Sequence, residues 1–361
     1  MVDIQTYEDY WSITLAFTNF YDWDFVKFLK VCIEYIDQHK NTQYTPEKYS
    51  QLQNKIKLLW WPTNLASVRK IINEYLKLWF ISSYLDWYIP DALTYIDNIS
   101  LGKRKFLFSK IVYSNSSFNR SVTEDSDVRQ ISFLMNTLMN VGSLNKDEIA
   151  WLMLVDVNSF VQEWLNKEQL QMYVKQARSI GFAERKYNQI SYLCNLLWKL
   201  DDVRFVDNVL YFKDDAEEIL WNESDNNSNI HIKSRRDPYL YRLYKKQLKD
   251  ESISIFWWDR PKCMLEKLAF PVLVASHIKP FIQSNESEAY DPNNWILLSR
   301  TMDSLFDLWY ISFSWNWEII FSPRLSEDVI EYLWEYSLDS RLLNNERKEY
   351  LEFHRNHVLR M

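Results

Sequence analysis

The chain has 361 residues, 47% of them hydrophobic, enough apolar matter for two or three packed domains. Its 42 Lys and Arg stand against 49 Asp and Glu, and the net charge of −7 excludes a protein coated in basic surface. No run of 18 apolar residues is present, the opening MVDIQTYEDY is acidic and polar, and three scattered cysteines (Cys32, Cys194, Cys263) give neither a disulfide framework nor a zinc pair, so the expectation is a cytoplasmic protein without membrane association.

From Met1 to Ser114 the pattern is mostly helical. Apolar residues at 25, 26, 28, 29, 32, 33 and 36 predict a helix over Asp24–Gln38. Pro46–Leu59 and Asn64–Leu78 read as two helices joined by Trp60-Trp61-Pro62-Thr63, and Phe80–Ile89 as a short hairpin. Helix, turn, helix and hairpin is winged-helix order. Val68, Ile71, Ile72 and Tyr75 would face inward, leaving Arg69, Lys70, Asn73 and Lys77 outside, with Arg69 and Lys70 as candidate DNA contacts. Leu101–Thr123 carries five basic residues and no acid, and Ser114–Asp127 reads as a loop.

The grammar repeats from Asp127 to Leu220. Ile131–Asn140 is helical, VGSL breaks it, and Asn145 is placed to cap a helix over Asn145–Leu154. Gln189–Leu200 is a further helix, and Val203–Phe212, broken at Asp207-Asn208, reads as a wing hairpin. The expectation is therefore an α+β chain. Two winged-helix-like modules span 1–113 and 127–220, the polar WNESDNNSNI stretch at 221–230 is a linker, and a distinct domain occupies 231–361. A helical scaffold that merely holds the last domain is the plainer alternative for the first 220 residues. Between His231 and Lys262, nine basic residues stand against four acids, a local basic patch suited to a nucleic-acid groove.

The chemistry concentrates between Leu273 and Phe313. Val272–His277 reads as a buried strand ending on a histidine, a loop carries Asn294, Ile296–Leu298 is a second strand, and Thr301–Leu308 is a helix bearing Asp303 and Asp307 at i and i+4. Ile311–Phe313 and Glu318–Phe321 form a following hairpin, with helices after Ser326. A neutral imidazole can take a proton from water near neutral pH, and a hard cation such as Mg²⁺ needs only one or two oxygen ligands from the protein. The ordered elements SHIKP, NNWILLS and DSLFD resemble the HNH nucleases of the restriction-endonuclease type, over roughly Tyr239 to the chain end.

That resemblance implies a ββα-metal fold and a DNA endonuclease. It makes His277 the general base, Asn294 the motif asparagine and Asp303 the last motif position and a metal ligand, with Asp307 a second ligand or a helix-orienting group. Many HNH enzymes have an aspartate before the base, where this chain has Ser276. Arg260, Lys262 and Lys279 are near enough in sequence to hold phosphates. A divalent metal, Mg²⁺ foremost, double-stranded DNA and a homodimer for double-strand cutting complete the expectation. The rival is a non-catalytic winged-helix DNA-binding protein with a decayed HNH domain, which Ser276 favours and the intact His277, Asn294 and Asp303 oppose.

Composition carries one further oddity. The chain has 3 glycines and 17 tryptophans, and several tryptophans stand where a tight turn or helix end calls for glycine: Asp86-Trp87, Asn294-Trp295, Asn316-Trp317, Trp257-Trp258, Trp79 and Trp309. The resemblance likewise puts glycine at 295, 309 and 317. A gene in which UGA means glycine, translated with a table in which UGA means tryptophan, would give this pattern. UGG codons at those positions would exclude it.

Overall fold

The computed structural model describes residues 10–40, 42–59, 64–212 and 237–357, and the chain divides into two units, Met1–His231 and Ile232–Met361. The Trp60–Thr63 turn and the linker expected at 221–230 lie outside the described residues.

In the first unit the apolar stripe of α1 (Trp23–His39) buries Phe25, Phe28, Leu29, Ile33 and Ile36. After α2 (Pro46–Leu59), α3 (Leu65–Lys77) starts on Asn64, whose side chain accepts the Ser67 amide. Val68, Ile71, Ile72 and Tyr75 of α3 are fully buried, whereas Arg69 and Lys70 are exposed. Aromatic rings fill the space between helices: Phe20 stacks on Phe108 of α5 (Leu101–Asn115) at 4.6 Å, and Phe25 meets Tyr75 edge-on at 4.9 Å. The buried hydroxyls of Tyr75 and of Tyr95, on the short α4 (Asp91–Ile96), donate to the carbonyls of Phe25 and Phe20 at 2.7 and 2.6 Å, so these rings bring no unsatisfied polar atom into the core.

Phe80–Ile89 makes the expected short hairpin in minimal form, with the Ser82 amide on the Trp87 carbonyl at 2.9 Å and the Ile89 amide on the Phe80 carbonyl at 3.2 Å. One bridge, Ile81↔Tyr88, closes over a 3-10 turn at Ser83–Leu85. Tyr84 and Leu85 take φ of 60° and 56°, and the Ser82 hydroxyl accepts the Trp87 amide, so the chain doubles back too sharply to extend a ladder.

The second half of this unit does form a sheet. α6 (Gln130–Val141) ends on Gly142 at φ 83°, the left-handed cap that glycine adopts without strain. A two-residue strand β1 (Leu144–Asn145) follows, and Asn145 opens α7 (Lys146–Leu152) with a reciprocal capping box to Glu148. Next come α8 (Lys167–Ser179), α9 (Phe182–Arg185) and α10 (Tyr187–Lys199), then the hairpin β2 (Val203–Val206) and β3 (Val209–Phe212). Asp207 and Asn208 turn it with φ of 48° and 64°, the pair of positive values a two-residue hairpin loop needs. β3 lies between the other two strands, giving the order β1-β3-β2.

In the second unit α11 (Pro238–Phe256) is capped by Asp237, whose carboxylate accepts the Tyr239 and Leu240 amides. β4 (Leu273–His277) pairs antiparallel with β5 (Trp295–Ser299), the short α12 (Glu286–Ala289) lies in the connection, and α13 (Arg300–Asp307) follows directly. α13 packs on both strands, with Met302 and Phe306 fully buried. β6 (Ile311–Phe313) and β7 (Ile319–Phe321) form the next hairpin, and α14 (Glu327–Leu333) and α15 (Asn345–His357) end the unit. His354 is neutral here: burial pushes its imidazole down to about 4, its ring stacks on Phe306 at 4.2 Å, and it shares a hydrogen bond with Ser312.

Among the described residues, four tryptophans have left-handed backbone: Trp79 (φ 68°), Trp257 (51°), Trp309 (69°) and Trp317 (73°). Trp79 and Trp309 follow α3 and α13, where the next amides, Phe80 and Tyr310, reach back to the Tyr75 and Leu305 carbonyls. This is the helix-end motif whose left-handed position is glycine in most proteins, because a β-carbon there crowds the backbone. Trp295 is different, with extended backbone at φ −136°.

Candidate active site

β4 brings the site together because it ends on His277 and because neighbouring strand residues face opposite ways. Ser276 is turned toward α13, and its hydroxyl donates to the carboxylate of Asp303. His277 is turned toward the β4–β5 connection, where Nε2 lies 3.2 Å from the Ala289 carbonyl and the ring meets Phe281 edge-on at 5.7 Å. A carbonyl can only accept, so Nε2 carries the proton and the lone pair is on Nδ1. Asp303 sits half-buried in the first turn of α13, where the helix dipole favours a carboxylate.

Asn294 is completely buried and ties the connecting loop shut. Its Oδ1 accepts the Lys279 amide at 2.7 Å, and its Nδ2 donates to the Glu288 carbonyl at 2.9 Å and to the Lys279 carbonyl and Ser284 hydroxyl at 3.3 Å. The Ile278 amide also binds the Asn294 carbonyl at 2.8 Å. Asn294 therefore acts at one remove: it fixes the 279–289 loop, and that loop supplies the carbonyl that orients His277.

Trp295, directly across the ladder from His277, lays its indole against the imidazole with ring centroids 3.4 Å apart. Tyr241 and Tyr244 of α11 cover the indole from behind at 5.7 and 6.3 Å. The result is that His277 is only 8% exposed, which leaves little room for a phosphate beside it.

The other predicted contacts are dispersed. Asp307, one turn beyond Asp303, is exposed. Lys279 is engaged by Glu288 at 2.6 Å and lies over the Phe353 ring at 4.9 Å, so its ammonium is committed inside the fold; that ammonium holds the Glu288 carboxyl below the usual carboxylate range. Arg260 is exposed, and Lys262 is half-buried with its ammonium 4.6 Å from the Trp258 ring. Arg69 and Lys70 belong to the other unit. Two participants were not legible beforehand: the Ala289 carbonyl, because a backbone acceptor has no residue signature, and Glu288 as the partner of Lys279. No set of three His, Cys, Asp or Glu side chains converges on a metal position among the described residues.

Two antiparallel strands and a helix, with a histidine ending the first strand, a buried asparagine locking the loop and a carboxylate on the helix, make up a ββα arrangement. Residues 263–314 match the family model described as HNH endonuclease, so the second unit carries an HNH endonuclease domain. No curated protein matches the chain. No helix among the described residues is long and apolar enough to cross a membrane.

Proposed function

We propose that the chain is a metal-dependent endonuclease of restriction type that hydrolyses phosphodiester bonds in double-stranded DNA. The observation that carries the reading is the end of β4, where His277 and the Ser276–Asp303 pair occupy adjacent positions on opposite faces of one strand. Once the Trp295 indole that covers the imidazole moves aside, a phosphate at that strand end would meet His277 and the Ser276–Asp303 oxygens from adjacent positions.

The donor set suits Mg²⁺. Asp303 offers a carboxylate and Ser276 a hydroxyl, both oxygen ligands, and this ion keeps most of its own waters. When bound it supplies charge neutralisation to the phosphate. Every other function falls to the chain. His277 Nδ1 removes the proton of the attacking water, and the Ala289 carbonyl stabilises the imidazolium through Nε2–H. Asn294 keeps that carbonyl in place. Arg260 and Lys262 would hold backbone phosphates, with Lys279 bracing the loop rather than holding a phosphate. Arg69 and Lys70 add a second exposed basic contact in the first unit. Cutting both strands with one site per chain calls for two chains acting together.

Asp303→Asn tests the metal assignment. The Mg²⁺ concentration giving half-maximal plasmid cleavage is expected to rise at least about tenfold, in line with losing one of few protein ligands, and to change little in Asp307→Asn. An unchanged requirement in Asp303→Asn would remove Asp303 from the metal site; the reverse ranking would move the ligand to Asp307.

A further inference from the structure

The exposed face of α10 carries hydrogen-bonding side chains that no packing requirement explains. Its inner side is fixed by Leu193, Leu196 and Leu197, all fully buried, and by Ile190. Outward it presents Asn188 and Ser191, with Asn195 half-exposed in line, and Tyr187 and Trp198 at the ends, exposed by 65% and 62%. The positions 187, 188, 191, 195 and 198 recur at helical spacing and form one stripe. No acid occurs in the helix, although the chain holds 49. Arg185 and Lys186 precede it, Lys199 ends it, and Arg204 is exposed on β2, the hairpin strand that follows.

The placement of the helix adds a second, independent argument. α6, β1 and α7, then α10 packed on α7 after the intervening α8 and α9, then the β2–β3 hairpin with its second strand paired to β1, follow winged-helix order with two helices inserted before α10. In that arrangement the helix before the hairpin stands proud of the domain with the hairpin at its flank. Its 13 residues extend about 20 Å, and a helix of ordinary width enters a major groove roughly 12 Å across.

We propose that α10 reads DNA sequence, with Asn188, Ser191 and Asn195 on base edges in the major groove and Arg204 on a backbone phosphate beside it. Asparagine suits adenine, whose N6 and N7 match the amide's acceptor and donor, so the preferred site contains adenine at the contacted positions. The proposal rests on double-stranded DNA being the substrate. It moves the reading element away from α3, whose neighbour at 80–89 makes a single bridge rather than a wing.

The test is binding by the full chain with EDTA present, so that no cleavage intervenes. A preferred duplex is selected from a randomised pool, and affinities for it and for a scrambled duplex are measured by fluorescence anisotropy. In the Asn188→Ala, Asn195→Ala double variant, affinity for the selected duplex is expected to fall by about 10–100-fold and affinity for the scrambled duplex to hold. Arg204→Ala should weaken both equally and lower the slope of log affinity against log salt by about one. Unchanged selectivity in the double variant, or selectivity lost instead in Arg69→Ala, Lys70→Ala, overturns the assignment while leaving DNA as the substrate. A chain that binds no duplex overturns the substrate as well.

Discussion

Replacing His277 by alanine is expected to lower plasmid cleavage by about 10²–10⁴-fold, the usual contribution of a positioned general base, with duplex binding retained. The size follows from the site's economy. Asn294 acts through the loop, Lys279 is paired with Glu288, and Asp303 faces the other side of the strand, so His277 is the group placed to move a proton. Binding persists because His277 is 8% exposed and offers DNA little surface. Single-turnover cleavage and a gel shift on the same preparations separate the two effects. Cleavage at the unsubstituted rate would remove His277 from the base role, and loss of binding in step with cleavage would make it a packing residue.

The second large effect concerns stability. Changing Trp257 and Trp309 together to glycine is expected to stabilise the second unit by about 1–2 kcal/mol. A non-glycine residue in left-handed backbone costs roughly 1–2 kcal/mol, and the added freedom of glycine in the unfolded chain returns about 0.4–1 of that at each site. Trp257, 86% exposed, loses little packing, whereas Trp309, 39% exposed, loses more, which holds the expected gain to the low end of that range. Trp315→Gly is the control: this side chain is also exposed, but its backbone is not left-handed and the Arg355 guanidinium lies 4.3 Å from its ring, so glycine there should destabilise on both counts. Urea unfolding of the three proteins reads the difference. Destabilisation by Trp257→Gly, Trp309→Gly equal to that of Trp315→Gly would mean that the fold has no preference for glycine at those helix ends. Trp79 is the poorer test because the Arg120 guanidinium stacks 3.6 Å from its ring, a contact that glycine would remove.

What was legible in the chain is what local chemistry dictates. The inner face of α3 follows from the spacing of Val68, Ile71, Ile72 and Tyr75, the α7 cap from Asn145 with Glu148 three residues on, and the β2–β3 turn from Asp207-Asn208. Trp79, Trp309 and Trp317 stood out because they occupy glycine contexts, and their positive φ is the physical form of that context. The strand, loop and helix carrying His277, Asn294 and Asp303 were readable for the same reason: each sits at an element boundary marked by residue type. Contacts that depend on register or backbone direction were not. The Ser276–Asp303 bond needs the packing of α13 on β4, and the His277–Trp295 stack needs the 277↔295 pairing. α8, written KEQLQMYVKQARS, has too few apolar residues to announce itself. The hairpin at Phe80–Ile89 was readable but its tight turn was not, because positive φ at Tyr84 and Leu85 is invisible in those residue types.

The stack on His277 also determines how the central claim is best tested. Trp295 is buried against Tyr241, Tyr244 and the imidazole, so glycine at 295 leaves a cavity, at a cost of about 3–5 kcal/mol by analogy with other large-to-small changes, yet it clears the face of the base. The decisive measurement is supercoiled-plasmid cleavage by the full chain and by Trp295→Gly, each with Mg²⁺ and with EDTA. A metal-dependent endonuclease gives nicked or linear DNA with Mg²⁺ and intact plasmid with EDTA, with the glycine form the faster of the two. Plasmid left intact by both proteins in Mg²⁺, while both still retard it on a gel, would contradict the account and leave a DNA-binding protein that does not cut.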